Sequence, residues 1–383
     1  MDFIGIVIVM TSEKSAIKLM PASFSAWAPQ RPPSRQIAVL MSGGVDSSVA
    51  AHLLKDDGWD VLGITMKTPA SCDAKVRGCC GADAALVCRQ LGLAHYFIDV
   101  AQTFEKLIIE RFRRAYARGH TPNPCIDCNT LLKFALVWDC VKGEFGIEYL
   151  ATGHYARISR SGDDVRLARA KDKAKDQSYF LYGIALERLK NLVLPLGELT
   201  KPEVRSIAGR LNLSVAEKSE SMELCFAGQG DYRAALAGEQ ADKCGNITDM
   251  LGNKIGEHKG ISNYTLGQRR GIGFAGGKPL YVGRIDAEAN TIALGTREKV
   301  SYSAIDADSI NVLIPGEMIP GNRLFGKIRS YGDPRPCKVA HVSETGIKVE
   351  FDEPQFAPSP GQRLVLYNEQ ENIVAGGRIV SAK

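Results

Sequence analysis

The sequence predicts an α/β protein: a doubly wound, largely parallel sheet, then a small central unit, then an all-β, barrel-like C-terminal unit. Three observations predict it. Strand-like apolar runs at 37–41, 61–66, 95–100 and 149–152 alternate with helical patterns near 49–54, 82–91, 101–118 and 131–141. Such alternation builds βαβ units covered on both faces. A glycine-rich stretch, Ser42-Gly43-Gly44-Val45-Asp46-Ser47-Ser48, sits where the first strand hands over to the first helix. After a helical pattern at 201–211 the texture changes. Residues 279–286 with 291–295, 338–342 with 347–351, and 364–367 with 373–379 read as hairpins of a small β unit. The expected division is 1–35 as an extension outside the fold, 36–213 as the sheet domain, 214–295 as linker and central domain, and 296–383 as the barrel.

Two glycines at a strand-to-helix turn let backbone approach an anion closely, and the free N–H groups of the helix's first turn point at it. The helix dipole and the Ser47 and Ser48 hydroxyls add to the attraction for phosphate. A Gly-Lys-Ser/Thr ending is missing, which excludes the Walker-type loop, and so is G-x-G-x-x-G. The plain alternative is a tight turn whose Ser and Asp only cap the helix. Residues 42–48, 66–67 and 153–154 all fall just past strand ends, where such sheets bind ligands.

Composition narrows the class. At 383 residues the chain can hold two or three cores. A net charge of +5 decides nothing about nucleic acid. Arginines 111, 113, 114 and 118, and the basic run from Arg157 to Lys175, suit either a polyanion or a solvated face. Ten irregularly spread cysteines do not make a secreted disulfide scaffold, and a reducing, cytoplasmic setting is expected. No apolar run spans a bilayer. Residues 1–35 end in Arg31-Pro32-Pro33-Ser34-Arg35, which fits an over-called start or a targeting leader.

Thr121-Pro122-Asn123-Pro124-Cys125-Ile126-Asp127-Cys128-Asn129 is the second strong feature. Prolines fix an extended loop, and thiols at a helix N-terminus beside basic residues are expected to have lowered pKa values. A nucleophile pair, a metal site and a redox dithiol all remain open. Cys225, alone between apolar residues, reads as a small buried hydrophobe. Cys72, Cys79, Cys80 and Cys88 are dense, but adjacent cysteines are poor ligand spacing; Cys140, Cys244 and Cys337 read as ordinary thiols.

The loop at 42–48 resembles the S-G-G-x-D-S-S loop of the PP-loop ATP pyrophosphatases, which split ATP into AMP and pyrophosphate to adenylate a second substrate. In order there follow Thr121 to Asn129, Ala151-Thr152-Gly153-His154-Tyr155-Ala156-Arg157, Lys175-Asp176-Gln177-Ser178-Tyr179-Phe180-Leu181, Leu224-Cys225-Phe226 and Tyr264-Thr265-Leu266-Gly267-Gln268-Arg269-Arg270-Gly271. From about residue 36 to the end the chain is similar to the bacterial and organellar tRNA-specific 2-thiouridylases. These exchange O2 of the wobble uridine for sulfur in tRNAs for Lys, Glu and Gln. The resemblance implies a PP-loop domain, a central tRNA-binding domain and a C-terminal β-barrel. It implies ATP phosphates and Mg²⁺ at Met41, Ser42, Gly43, Gly44, Val45, Asp46, Ser47 and Ser48, with Met66 and Gly153 near the nucleotide. Asn123, Pro124 and Cys125 would face the target base. Cys128 would be the nucleophile and Cys225 the persulfide carrier, ending as a Cys128–Cys225 disulfide that needs reduction. His154, Lys175, Asp176, Gln177, Arg329, Ser330 and Gln362 would touch tRNA, and the uridine would be flipped out to react. A cysteine desulfurase or relay protein would supply sulfur to a monomer.

One departure matters. Many members carry Asp where this chain has Cys125. Cys125, Cys128 and Cys225 could then hold a [4Fe–4S] cluster, as related RNA thiolases do. Two other classes are weighed: an amide-forming ligase that activates a carboxylate, and a non-catalytic tRNA-binding protein. The first needs no paired thiols, and the second has no use for a pyrophosphate loop.

Overall fold

The computed structural model describes residues 18–21, 27–69, 81–220, 224–226, 236, 243–274 and 277–383. Its first unit is a six-stranded sheet. The strands are β1 (Lys18–Pro21), β2 (Gln36–Leu40), β3 (Asp60–Lys67), β4 (Ala94–Asp99), β5 (Tyr149–Thr152) and, after a β-hairpin of β6 (Ala156–Ser161) and β7 (Asp164–Arg169), β8 (Leu192–Val193). The spatial order is β1-β4-β3-β2-β5-β8, parallel except for β1.

Every residue of β2 is buried, as a central parallel strand requires. Successive side chains point to opposite faces. Ile37 and Val39 therefore join one core with α1 (Val45–Asp56), α2 (Ala82–Gln90) and the later helix α7 (Lys201–Arg210). Ala38 and Leu40 join the other. That second core is covered by α3 (Ala101–Phe104), a π-helical turn (Glu105–Ile109), α5 (Pro124–Asp127), a long π-helical stretch (Cys128–Val137) and α6 (Trp138–Phe145), while α4 (Glu110–Ala117) buries Phe112 and Tyr116 in a small cluster of its own with Leu236. From β2 the chain winds outward through β3 and β4, then crosses back to β5 on the other side of β2. The carboxyl ends of β2 and β5 thus flank a topological switch point, where ligands settle in open α/β sheets.

The second unit is a four-stranded sheet, β10 (Lys254–His258), β9 (Gly245–Asp249), β12 (Thr291–Gly295) and β11 (Tyr281–Asp286), closed over Ile247, Tyr264, Val282 and Ile292. The third is a closed barrel, β13-β16-β15-β14-β17-β18: β13 (Ser301–Val312), β14 (Arg323–Lys327), β15 (Arg335–Val342), β16 (Gly346–Phe356), β17 (Arg363–Tyr367) and β18 (Ile373–Ala382). Closure removes the open edges of a short-stranded sheet. Among the described residues no helix is long and apolar enough to cross a membrane.

One expectation needs correction. Residues 1–35 do not all lie outside the fold. Lys18–Pro21 pairs antiparallel with β4, and the Trp27 amide donates to the Tyr96 hydroxyl at 2.9 Å. An edge strand needs only backbone pairing, so a weakly patterned segment suffices. The basic run from Arg157, open between a polyanion face and a solvated one, spends much of its charge inside the protein. The Arg157 Nε donates to the Arg169 carbonyl, and its Nη2 reaches Glu371 at 3.1 Å. Arg160 donates to the carbonyls of Leu189, Lys190 and Leu192, and Arg169 pairs with Asp176, Asp333 and Glu371.

Candidate active site

The loop after β2 is built as the spacing demands. Gly43 adopts φ +68°, and a Cβ there would sit 3.2 Å from the Asp83 Cβ and 3.3 Å from the Ala84 amide. Gly44 caps α1 with no side-chain acceptor, which leaves the first-turn N–H groups for a ligand. Ser42 and Ser47 hydroxyls meet at 3.1 Å, and the Ser48 hydroxyl donates to the Gly44 carbonyl at 2.8 Å. Val45 and Ser48 are buried beneath the turn. Gly153, just past β5, lies against this loop: a Cβ there would come within 2.6 Å of the Ser47 amide nitrogen. Only a glycine allows that approach.

Two lysines that the sequence motifs do not flag, Lys201 and Lys218, brace the loop, and Lys175, expected at the tRNA, joins them through Glu220. The Lys201 Nζ, on a nearly buried side chain, donates to both Asp46 oxygens at 2.7 and 2.8 Å and to Glu220 at 3.0 Å. The Tyr155 hydroxyl donates to Asp46 at 2.9 Å. Lys218 donates to the Gly43 carbonyl at 2.9 Å and to Asp83 at 2.5 Å. Lys175 donates to Glu220 at 2.7 Å, and that bond leads in holding the Glu220 carboxyl below its usual range. Mg²⁺ takes oxygen donors, and Asp46 places a carboxylate at the phosphate end of this cradle, so the donor set fits a nucleotide-bound Mg²⁺.

One cavity of about 460 Å³ joins the loop to the thiols. Ser42, Asp46 and Ser47 line it on one side, and Cys125, Cys128 and Cys225 on the other. Met41, Met66, Pro124, Lys133, Gly153, His154 and Gln177 complete the part that concerns chemistry. Asn123 is not in the lining; its Oδ1 caps α5 through the Ile126 amide at 3.4 Å. Asp176 is buried, bonding Arg169, Ala170 and Ser178, so its carboxylate is spent inside the protein.

The barrel supplies the remaining expected residues at a distance from the cavity lining. The Gln362 Nε2 donates to the Thr121 carbonyl at 3.0 Å, and the Thr121 amide donates to the Pro360 carbonyl at 2.9 Å. Next to them Arg363 pairs with Asp127, between the two cysteines of α5 and its extension, at 2.7 Å. The barrel thereby clamps the thiol-bearing helix. Arg329 donates to the Phe356 and Ala357 carbonyls, and Ser330 is exposed.

The expectation of lowered thiol pKa values is overturned. Burial pushes all three thiols up, Cys225 to about 12. Lys133, bonded to the Asn129 Oδ1 at 3.0 Å, opposes the rise at each. Two of them also feel a neighbouring thiol: Cys128 and Cys125 push Cys225 up, and Cys128 pushes Cys125 up. Desolvation outweighs the helix end even at Cys125, which sits in the first turn of α5 where the dipole acts. Burial, with Lys133 adding to it, pulls His154 down to about 3, so the ring is neutral. Its Nδ1 lies 2.8 Å from the Thr152 hydroxyl.

Cys125, Cys128 and Cys225 are free thiols; Cys128 is buried, while Cys125 and Cys225 are exposed at the cavity wall, so Cys225 is not the buried filler its apolar neighbours suggest. Among the described residues no group of three or more His, Cys, Asp or Glu side chains is arranged to hold a metal ion. Three thiols on one cavity wall are nonetheless the donor type that an iron–sulfur cluster takes. Of the other cysteines, Cys88 and Cys337 are buried, Cys140 is partly buried, and Cys244 is exposed. Cys72, Cys79 and Cys80 lie outside the described residues.

Comparison with known proteins assigns this geometry. Residues 35–229 match the family model described as tRNA methyl transferase HUP domain, residues 233–296 a tRNA methyl transferase PRC-barrel domain, and residues 304–380 an aminomethyltransferase beta-barrel domain. The curated relatives carry a different activity in their names. The tRNA-specific 2-thiouridylase MnmA of Pelobacter propionicus is 42% identical over 359 residues, 91% of this chain and 98% of that one. Those of Geobacter metallireducens and Carboxydothermus hydrogenoformans are 40% and 39% identical, covering 91% and 90% of this chain and 97% of each relative. Thiols facing an ATP-type loop are what sulfur transfer uses and methyl transfer does not. The chain belongs to the tRNA-specific 2-thiouridylases, ATP-dependent sulfurtransferases that act on tRNA.

Proposed function

We propose that this enzyme thiolates C2 of the wobble uridine by a persulfide route through Cys225 and Cys128. The observation that carries the proposal is the single cavity lined at once by Ser42, Asp46 and Ser47 and by all three thiols. ATP lies with its phosphates on residues 42–48, where a Mg²⁺ held beside Asp46 would offset the charge that builds on them. Uracil O2 attacks the α-phosphorus, and pyrophosphate leaves. The terminal sulfur of a Cys225 persulfide then adds to C2, and AMP departs with the former O2. Cys128 takes the Sγ of Cys225, which cleaves the S–S bond and leaves sulfur on the base. The products are the 2-thiouridine and a Cys128–Cys225 disulfide, which a two-electron thiol reductant must reopen.

Pro124 and Cys125 border the base, and Gln177 and His154 stand at the same wall. Lys175, Arg329, Ser330 and Gln362 reach the RNA outside the cavity. Asn123 and Asp176 act on the RNA only through the loops they hold. A cysteine desulfurase or relay protein delivers the sulfur in the cytoplasm, to a monomer. The three family models meet near residues 230 and 300, which supports a division into catalytic, central and barrel units.

The test is anaerobic incubation with ATP, Mg²⁺, a persulfide source and unmodified tRNA for Lys or Glu, with nucleosides read by mass. The wild type makes 2-thiouridine; Cys128→Ser and Cys225→Ser make none and still form AMP. Wild-type AMP without sulfur would mean a different acceptor, as in an amide-forming ligase. Cys125→Asp run alongside separates the routes: retained activity supports the persulfide, and activity lost together with an iron–sulfur absorbance in the wild type would favour the cluster.

A further inference from the structure

A second cleft, of about 540 Å³, lies on the other side of the helix that walls the thiol cavity. Phe104 and Ile108 face the cavity; Lys106, Leu107 and Arg111, within the same helical run, face the cleft. Arg111, Arg114 and Arg118 fall at i, i+3 and i+7, hence on one face. Across the cleft stands Arg378 on the barrel strand β18, and His120 closes the end. Glu110 is the sole acidic lining residue, and Arg114 holds it at 2.7 Å. Arg378 is held by Asp308 at 2.6 Å. Arg111 and Arg118 have no acidic partner among the described residues and point their charge into the opening.

The cations converge. His120 is kept below its ordinary pKa by burial first, then by the Arg378 and Arg118 guanidiniums. Leu107, Ala115 and Ile379 give the cleft an apolar floor. Unpaired guanidiniums over an apolar floor suit a sugar-phosphate strand better than a small anion, because arginine grips phosphate while the floor accepts ribose. The cleft is also tied to the site. His120 leads directly into Thr121, whose backbone the barrel holds, and the thiol helix starts three residues later. One helix diameter, ~10 Å, separates the two openings, about three nucleotides at 3.4 Å per step.

We propose that this cleft binds the phosphodiester backbone of the tRNA strand flanking the flipped uridine, with Arg111 and Arg118 as its phosphate contacts. Resting on the tRNA-thiolation reading, it adds a site that holds the strand while the base enters the cavity. Flipping needs such an anchor, because the unstacked nucleotide must be offset by contacts to its neighbours.

The test is equilibrium binding of an unmodified lysine tRNA transcript to the full chain between 50 and 300 mM KCl. Arg111→Glu/Arg118→Glu is compared with wild type and with the charge-matched Arg89→Glu/Arg210→Glu on the opposite face of the sheet. Expected is at least about a tenfold loss of affinity at 100 mM salt, and a slope of log K on log salt shallower by about 1.5. The control keeps the wild-type slope. Arg111→Lys/Arg118→Lys keeps the charge, so its slope stays near wild type even if the glutamate variant misfolds. Equal binding by the glutamate variant and wild type overturns the cleft while leaving the thiolase reading intact, and so does an equal loss in the control. If the wild type itself does not bind tRNA, the substrate reading and the cleft both fall.

Discussion

Cys225 should react with alkylating agents as an unactivated thiol, even though its side chain is exposed at the cavity wall. Its pKa stands at about 12 against an ordinary 9.0. At pH 7.5 the thiolate population is therefore about a thousandfold smaller than at an unhindered cysteine. Part of that is recovered, since the thiolate of a weaker acid is the stronger nucleophile. With a Brønsted slope of ~0.4–0.5, three pK units return about 15- to 30-fold. Net alkylation at neutral pH should thus run roughly 30- to 60-fold slower than at a free thiol. The decisive feature is the profile: the rate climbs about tenfold per pH unit past pH 10, with no plateau near 9. Iodoacetamide labelling read by peptide mass resolves Cys225 from the other thiols. A plateau below about pH 9 would refute the desolvation argument.

Two further outcomes follow from the cradle and a third from the buried core. Gly153→Ala should abolish AMP formation while tRNA binding persists, because the new methyl would meet loop backbone at 2.6 Å and backbone cannot turn aside; an ATP affinity within twofold of wild type would show that the loop yields. Lys201→Met removes the cation on Asp46 and should weaken ATP by about tenfold, the equivalent of about 1.4 kcal/mol; an unchanged ATP titration would mean Lys201 only braces the apo loop. His95 concerns stability. It is fully buried, and burial pulls it to about 4 from 6.5. Below pH 6.5 the unfolded chain takes up a proton that the folded chain refuses, so this part of the stability is whole above 6.5 and is lost as pH falls toward 4. It amounts to about 2 kcal/mol by pH 5. His95→Gln should lose that much less between pH 7 and 5 in urea titration, and parallel curves would sink the assignment.

How much of this could be read from the sequence depended on how local each requirement is. An anion cradle needs a strand end, two glycines and a helix start in succession, so Ser42 to Ser48 was readable as it stands. The hairpins β11–β12, β15–β16 and β17–β18 were readable for the same reason, since turn and strands are contiguous. Cys225 was not readable from its own neighbours. Between Leu224 and Phe226 it looks like a core filler, and only folding brings it to the cavity wall with Cys128. Lys133 and Lys201 sit in helical patterns where lysine usually marks a solvated face, yet one faces the thiols and the other is nearly buried on Asp46. The arginines of β6 and β7 read as a charged surface because their acceptors are distant carbonyls and Glu371, far along the chain.

Raised thiol pKa values are an odd property for a sulfurtransferase until the state of the sulfur is considered. Desolvation penalises whichever species must carry the charge near Cys225. A thiol is the weaker acid, so the empty site stays protonated and inert toward oxidants and stray electrophiles. A persulfide is the stronger acid, because the adjoining sulfur withdraws and spreads charge, and its terminal sulfur lies one bond farther from the wall. The same environment can therefore silence the empty cysteine and let the loaded one ionise. Lys133, which opposes the rise at Cys125, Cys128 and Cys225 alike, is the group that can hold such an anion wherever it stands in the relay. Reactivity then follows from loading and not from the bare residue, which keeps adenylated tRNA from being met by a cysteine with no sulfur to give.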